Sequence, residues 1–283
     1  MTDSDVHDHT VYCYDQSQDK WTTLPPLPVK FFGLGRINGT LLAIGGVKNS
    51  RNSSSIKTNE VYTYDERSRK WKQTIPPMPT VRGFPSVLSL QSALVVAGGY
   101  KPPSSTYTDA VEIFKLDTWQ WYTTDPLPTA CRDISLVAIG NTCYALGGYE
   151  IQVANLNQAL YARVDNLLRN AVPVNKRTQR GSTDTQSAWK TLPNTPAYHS
   201  SAGVLANSLL AIGGDRTSTG AAATKEVYVY SPLTNFWIYI SDLPAPRSTT
   251  AVAVLSSTKI LVVGGWVDGV RVNTVYMGTL TIR

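Results

Sequence analysis

Apolar residues in this chain come in short runs, too brief for helices and closed by turn residues. Leu41 to Ile44, Leu94 to Ala97, Cys143 to Leu146, Leu209 to Ile212 and Ile260 to Val263 each end in a glycine pair. Other segments alternate, as in VYTYD (61–65) and VYVYS (227–231). Runs of four to six with β-branched and aromatic enrichment predict strands, and the alternating ones predict strands with unlike faces. Apolar runs such as LLAI suit strands covered on both faces. No stretch carries helical periodicity long enough to matter, so the pattern predicts an all-β chain of short antiparallel strands.

The pattern repeats. The first glycines of the five pairs are at 45, 98, 147, 213 and 264, in steps of 53, 49, 66 and 51. Tryptophans at 21, 71, 121, 189 and 237 keep the same beat, in steps of 50, 50, 68 and 48. The single oversized step falls at the same place in both series and marks one insertion. Each period runs in the same order: Trp, a Pro-rich turn (WTTLPPLP, WKQTIPPMP, WYTTDPLP, WKTLPNTP, WIYISDLP), a small-residue strand, the apolar strand with Gly-Gly, a variable polar loop, and a further strand before the next Trp. That is four strands per period, here lettered a to d from the inside outward, with Pro, Asn and Gly at the joints.

A period of about 50 residues with these contents resembles the kelch repeat. Gly45, Gly46, Tyr62, Tyr64, Asp65 and Trp71 fall where that repeat has its glycine pair, strand-c tyrosine and strand-d tryptophan, and so do Gly213, Gly214, Tyr228, Tyr230 and Trp237. The likeness covers essentially the whole chain. Strand c of the second period (VEIFK) and of the third (ALYARV) depart from the Tyr-x-Tyr pattern. The resemblance implies a β-propeller of four-stranded antiparallel blades in one domain, residues 1–283. A lone four-stranded blade cannot bury both faces, so blades stack around an axis. The N-terminal TVYCYDQSQDKWTTLP reads as a c–d pair and the C-terminal NTVYMGTLTI as another strand c. The expectation is the six-bladed type with an incomplete first blade, and a five-bladed ring is the alternative. The insertion, about 166–188, is polar and basic and reads as a flexible loop.

Composition changes this picture little. The net charge of +6 comes without a Lys/Arg run, which argues against nucleic acid and leaves room for an acidic partner. Three cysteines, Cys13, Cys131 and Cys143, are an odd number without metal-ligand spacing and suit a reducing, cytoplasmic compartment. The polar, acidic start MTDSDVHDHT is unlike a secretory signal, and no apolar stretch approaches the roughly 18 residues of a membrane span.

Candidate chemistry is thin. A dinucleotide fingerprint needs Gly-x-Gly-x-x-Gly opening a helix; the nearest approach, GLGRING at 33–39, misses the third glycine by one position and leads into a strand. Of the histidines, His7 and His9 share a polar terminus and His199 stands alone, so no Ser/His/Asp arrangement can be built. Kelch propellers with copper-oxidase or iron-assisting chemistry carry tyrosine–cysteine or Glu/Asp/His sets that are not seen here. The reading is therefore a non-enzymatic module with no cofactor, no metal and no catalytic residues, which binds a protein or peptide.

Because successive strands are antiparallel, the d–a turns and b–c loops open on one face. That face is expected to collect Lys30, Arg82, Arg132, His199 and Arg247 before strand a, and Tyr100, Tyr149, Asp215, Arg216 and Trp266 after the glycines. Arginine forks carboxylates and aromatics supply rigid contact area, which suits an acidic or phosphorylated segment. The competing reading for the arginines is structural, bonding loop carbonyls to orient the turn. The competing function is an enzyme or small-molecule binder using the central channel. The kelch resemblance implies adaptor or scaffold roles.

Overall fold

The computed structural model describes residues 9–49, 55–102, 106–150, 154–174 and 187–280. Five antiparallel blades follow the predicted a–b–c–d order. Blade one is Gly33–Ile37, Thr40–Ile44, Val61–Asp65 and Lys70–Lys72, and blade two is Ser86–Ser89, Ala93–Ala97, Val111–Lys115 and Gln120–Thr123. Blade three is Arg132–Ile139, Thr142–Glu150, Ala159–Arg163 and Lys190–Thr191; blade four is Ser201–Leu205, Ser208–Ile212, Glu226–Ser231 and Phe236–Asp242. Blade five has three strands, Ala251–Ser256, Lys259–Val263 and Val275–Thr279.

The count is that of the five-bladed alternative, not of the six-bladed expectation. Val11–Asp15 and Lys20–Leu24 pair only with each other, as a two-stranded ribbon. This ribbon does not complete blade five. Its Val11 packs with Ala43 and Tyr62 of blade one.

Alternation along strand b explains why LLAI is apolar at every position. Leu42 and Ile44 face blade two in one cluster, while Ala43 faces the ribbon in another. In blade two, Leu94 and Val96 turn toward blade one, and Val95 and Ala97 toward blade three. In blade four, Leu209 and Ala211 meet blade three while Leu210 and Ile212 meet blade five. A period of two thus feeds two inter-blade interfaces, and one strand supplies apolar surface to both.

The strand-d tryptophans bind neighbouring periods together. The indole N–H groups of Trp71, Trp121 and Trp237 donate to the carbonyls of Pro25, Pro76 and Pro193 at 2.7–2.8 Å. Trp189 donates to the Asp125 carbonyl at 3.2 Å. Each acceptor lies in the Pro-rich turn of the preceding period, so the two halves of the sequence signature are partners in space.

The glycine pair is a backbone junction. The second glycine's N–H donates to the next blade: Gly46 to Arg82, Gly99 to Cys131, Gly214 to Arg247, each to a carbonyl at 2.8–2.9 Å. A Cβ on the first glycine would collide with those same carbonyls, at 2.4 Å for Gly98 and 2.2 Å for Gly213. Both have positive φ, +65° and +57°, which side chains resist.

The insertion departs from the expected loop. Val164–Arg169 forms a helix, with Asp165 in its first turn and Arg169 in its last, as the dipole favours. Leu167 on its inner side is wholly buried. Val172–Pro173 then pairs with Tyr122 and Thr123 as a fifth strand on the outer edge of blade two. Residues 175–186 of the predicted loop lie outside the described residues.

Candidate recognition face

Three consecutive positions lead into each strand a, and backbone hydrogen bonds set their register. Arg82, Cys131 and Arg247 accept from the glycine pair, as above. One residue later, Lys30, Gly83, Arg132, Tyr198 and Ser248 pair with Val47, Tyr100, Tyr149, Asp215 and Trp266 of the b–c loops. One residue later again, Phe31, Phe84, Asp133, His199 and Thr249 all adopt positive φ, between +52° and +55°. A left-handed conformation in bulky residues is uncommon and costs energy, so its repetition in five blades marks a built feature.

The ten residues expected on the face fall into different positions of this frame. Arg82 and Arg247 occupy the first and are 0% and 1% exposed, so neither can touch a partner. Arg82 Nη1 donates to the carbonyls of Gly98 and Ala110, and Nη2 lies 2.9 Å from Glu112 Oε2. Arg247 Nη1 donates to the matching carbonyls of Gly264 and Thr274, and its Nη2 to the Thr274 hydroxyl. Where blade two sets Glu112, blade five sets Tyr276, and the Arg247 guanidinium lies 3.9 Å from that ring's centroid. Both arginines orient the b–c connection. The structural reading holds for them, because one register position earlier the side chain enters the blade rather than the axis.

Arg132 and Lys30 hold the second position and do reach the face. Arg132 pairs with Asp133 through Nη1, sits 4.6 Å from the Tyr149 ring centroid and lies over Phe84 and Tyr107. Burial, the largest single influence, works to lower its pKa, but the Asp133 charge and the Tyr107 hydroxyl together outweigh it and raise it. Lys30 lies over Phe31.

His199 holds the third position and is 8% exposed. Its Nδ1 is 3.2 Å from the Thr249 hydroxyl, and Nε2 has no partner among the described residues. Burial, then the Arg132 charge, lowers its pKa to about 4, so the ring is neutral near pH 7.

Arg132, Tyr149, His199 and Trp266 line one cavity of about 450 Å³ together with Phe31, Phe84, Asp133, Asp215 and Thr249. Phe31 and Phe84 stack at 4.3 Å across neighbouring blades and form an apolar part of its wall. Tyr100, though outside the cavity, connects to it through Tyr107, which contacts both Tyr100 and Tyr149. Arg216 lies apart, exposed and paired with Glu226.

The ring residues Phe31, Phe84, Asp133 and Thr249 were missed by sequence reasoning. Their signal was present: the third positions are spaced by 53, 49, 66 and 50 residues, nearly the glycine spacing. Chemically the five share nothing, so no motif flags them.

Among the described residues no cluster of three or more His, Cys, Asp or Glu could hold a metal. Among the same residues no helix is long and apolar enough to cross a membrane.

The architecture is a five-bladed β-propeller, and its repeat resembles the kelch repeat. No family model matches the chain. Among curated proteins it is similar to Kelch-like protein 40 of Mus musculus, 27% identical over 151 residues, which are 53% of this chain and 23% of that protein. It is similar to Kelch-like protein 25 of Xenopus tropicalis, 24% identical over 258 residues, 88% of this chain and 39% of that one. It also resembles Kelch-like protein terF of Aspergillus terreus, 21% identical over 271 residues, 93% of this chain and 56% of that one. The chain thus spans between about a quarter and just over half the length of these three relatives. Among solved structures it superposes on YjhT with a TM-score of 0.73 at 14% identity, covering 94% of this chain and 87% of that one. That likeness speaks for the fold alone. Relatives and fold agree with the kelch-repeat resemblance carried by the glycine pairs and tryptophans.

Proposed function

We propose that the protein is a non-catalytic recognition module, docking a segment of a partner protein on the face formed by the d–a turns and b–c loops. The observation that carries this is the state of the cations there. Lys30, Lys57 and Arg271 rest on the rings of Phe31, Tyr100 and Trp266, at 5.5, 4.2 and 4.9 Å from their centroids. A cation over an aromatic face keeps its charge for an incoming group and is held in place by the ring. This surface suits a partner carrying acidic residues, and the aromatics beneath supply the contact area. The resemblance to kelch-repeat proteins implies an adaptor or scaffold role. Three free thiols, two of them buried, suit the cytoplasm.

A second reading is a small-molecule binder using the central channel. Its support is the floor of the cavity, where His199, the buried carboxylate of Asp215 and the half-buried one of Asp133 gather.

The test is capture from lysate with wild type and with the triple variant Lys30→Ala, Arg132→Ala, Trp266→Ala. A control changes Trp119→Ala on the opposite face. Docking predicts capture lost in the triple variant and kept in the control, with both melting like wild type. Capture that survives in the triple variant removes the proposed face.

A further inference from the structure

The floor of the cavity differs in character from its rim. Asp215 is 2% exposed. Asn155 Nδ2 donates to its Oδ2 at 3.1 Å and the nearby Ser248 hydroxyl favours its ionised form, while Oδ1 has no hydrogen-bond partner of good geometry among the described residues. Nor does any ion pair among those residues include Asp215. The nearby cation, Arg132, is already held by Asp133, and Arg271 lies exposed over Trp266. A carboxylate taken out of water without a cation is costly, and structures keep that cost where a ligand relieves it. His199 Nε2 is the second unpartnered buried atom lining the same cavity. In the tautomer that places the ring proton on Nδ1, facing the Thr249 hydroxyl, Nε2 presents a lone pair.

These atoms discriminate between ligand classes. An anion would meet an unneutralised carboxylate, and of the two arginines lining the cavity the half-buried Arg132 is paired with Asp133 while Arg271 lies over Trp266. A divalent metal would find too few ligands. A primary ammonium has three donors and no acceptor: one N–H suits Asp215 Oδ1, another His199 Nε2, and its charge balances Asp215. The walls above, Phe84, Tyr149 and Trp266, suit a methylene stem and attract a cation.

We infer that the cavity floor is a primary-alkylammonium site, taking a lysine side chain of the docked segment between Asp215 and His199. This deepens the docking reading and, as a statement about the partner, rests on it. The partner segment then presents a lysine flanked by acidic residues, matching an anionic floor inside a cationic, aromatic rim.

The test uses the full chain with ¹⁵N-labelled histidine, the His199 signal being assigned by its loss in His199→Gln. The probes are Nα-acetyl-lysine N-methylamide and its Nε-acetylated counterpart. A saturable shift of the His199 nitrogen is expected with the lysine probe and none with the acetylated one. Asp215→Asn should weaken the lysine probe at least tenfold. Thr219→Arg, on an exposed loop lining the cavity, should do the same by placing a resident guanidinium beside Asp215; it stands in if Asp215→Asn misfolds. Absence of a saturable shift in wild type, equal binding of both probes, or unchanged affinity in a folded variant overturns the site. The probe needs no partner protein, so this result and the capture experiment fail independently.

Discussion

Arg82 and Glu112 form an ion pair at 2.9 Å with both side chains sealed from solvent. The same guanidinium closes the carbonyls of Gly98 and Ala110. Removing it strands a buried carboxylate and two carbonyls, and breaking such a pair from one side costs about 3–5 kcal/mol. Arg82→Ala is expected to lower stability on that scale in chemical denaturation. Arg247→Ala should cost less, about 2–3 kcal/mol, because Tyr276 is no charge to be stranded. Arg132→Ala, at a half-buried site on the face, should cost least of the three. Equal losses for all three would contradict the division between frame and face.

The glycine junction makes a second prediction. Gly98→Ala puts a methyl 2.4 Å from the Cys131 carbonyl at φ +65°, so blade two must part from blade three. Gly140 has a similar φ, +54°, but nothing within 4 Å of a new Cβ. Gly140→Ala should therefore cost only the conformational part, about 1–2 kcal/mol, and Gly98→Ala clearly more. Thermal melts of the pair separate the two contributions.

His199 predicts a pH dependence. Its folded pKa of about 4 lies below the ordinary 6.5, so the unfolded chain takes up the proton first as pH falls. The stability it contributes is full above about pH 6.5 and is lost between there and about pH 4, up to roughly 3 kcal/mol. Asp215 acts oppositely, because burial raises its pKa and its ionisation as pH rises costs stability. His199→Gln retains Asp215, so the difference in melting temperature between wild type and variant isolates the histidine. That difference should change sharply from pH 7 to pH 4.5; a constant difference would contradict a buried neutral ring.

Thiol chemistry offers a fourth check. Burial pushes the Cys131 and Cys143 thiols up to about 12, whereas Cys13 lies exposed on the N-terminal ribbon. A thiolate is the reactive form. At pH 8 one thiol per native chain should react quickly with a maleimide and all three after denaturation. Rapid labelling of two or three would show that the blade interiors open.

Much of the fold was legible because the repeat is a local pattern. Trp and the Pro-rich turn recur together since Trp121 reaches the Pro76 carbonyl and its counterparts do likewise. Glycine pairs recur because a neighbouring carbonyl occupies the space of a side chain. The insertion was harder to read: VDNLLR is one short turn of helix, and its burial depends on Leu167 meeting blade three, while Val172–Pro173 depends on the free edge of blade two. The N-terminal ribbon was readable as a c–d pair, but its place beside blade one was not.

The candidate site shows the division most sharply. By itself the sequence determined the strand order, the strand-b alternation and the face on which the variable loops open, since these follow from period, polarity and antiparallel pairing. Only the tertiary structure decided which residues of that face meet. Lys30, Arg82, Arg132, His199 and Arg247 look equivalent along the chain, yet one residue of register sends Arg82 and Arg247 into the blades. One residue further on, a left-handed backbone turns His199 toward the cavity beside Asp133 and Thr249. Hydrogen bonds between blades set that register, joining Gly46 to Arg82, Gly99 to Cys131 and Gly214 to Arg247, so the single-residue offset becomes visible only when the blades stack.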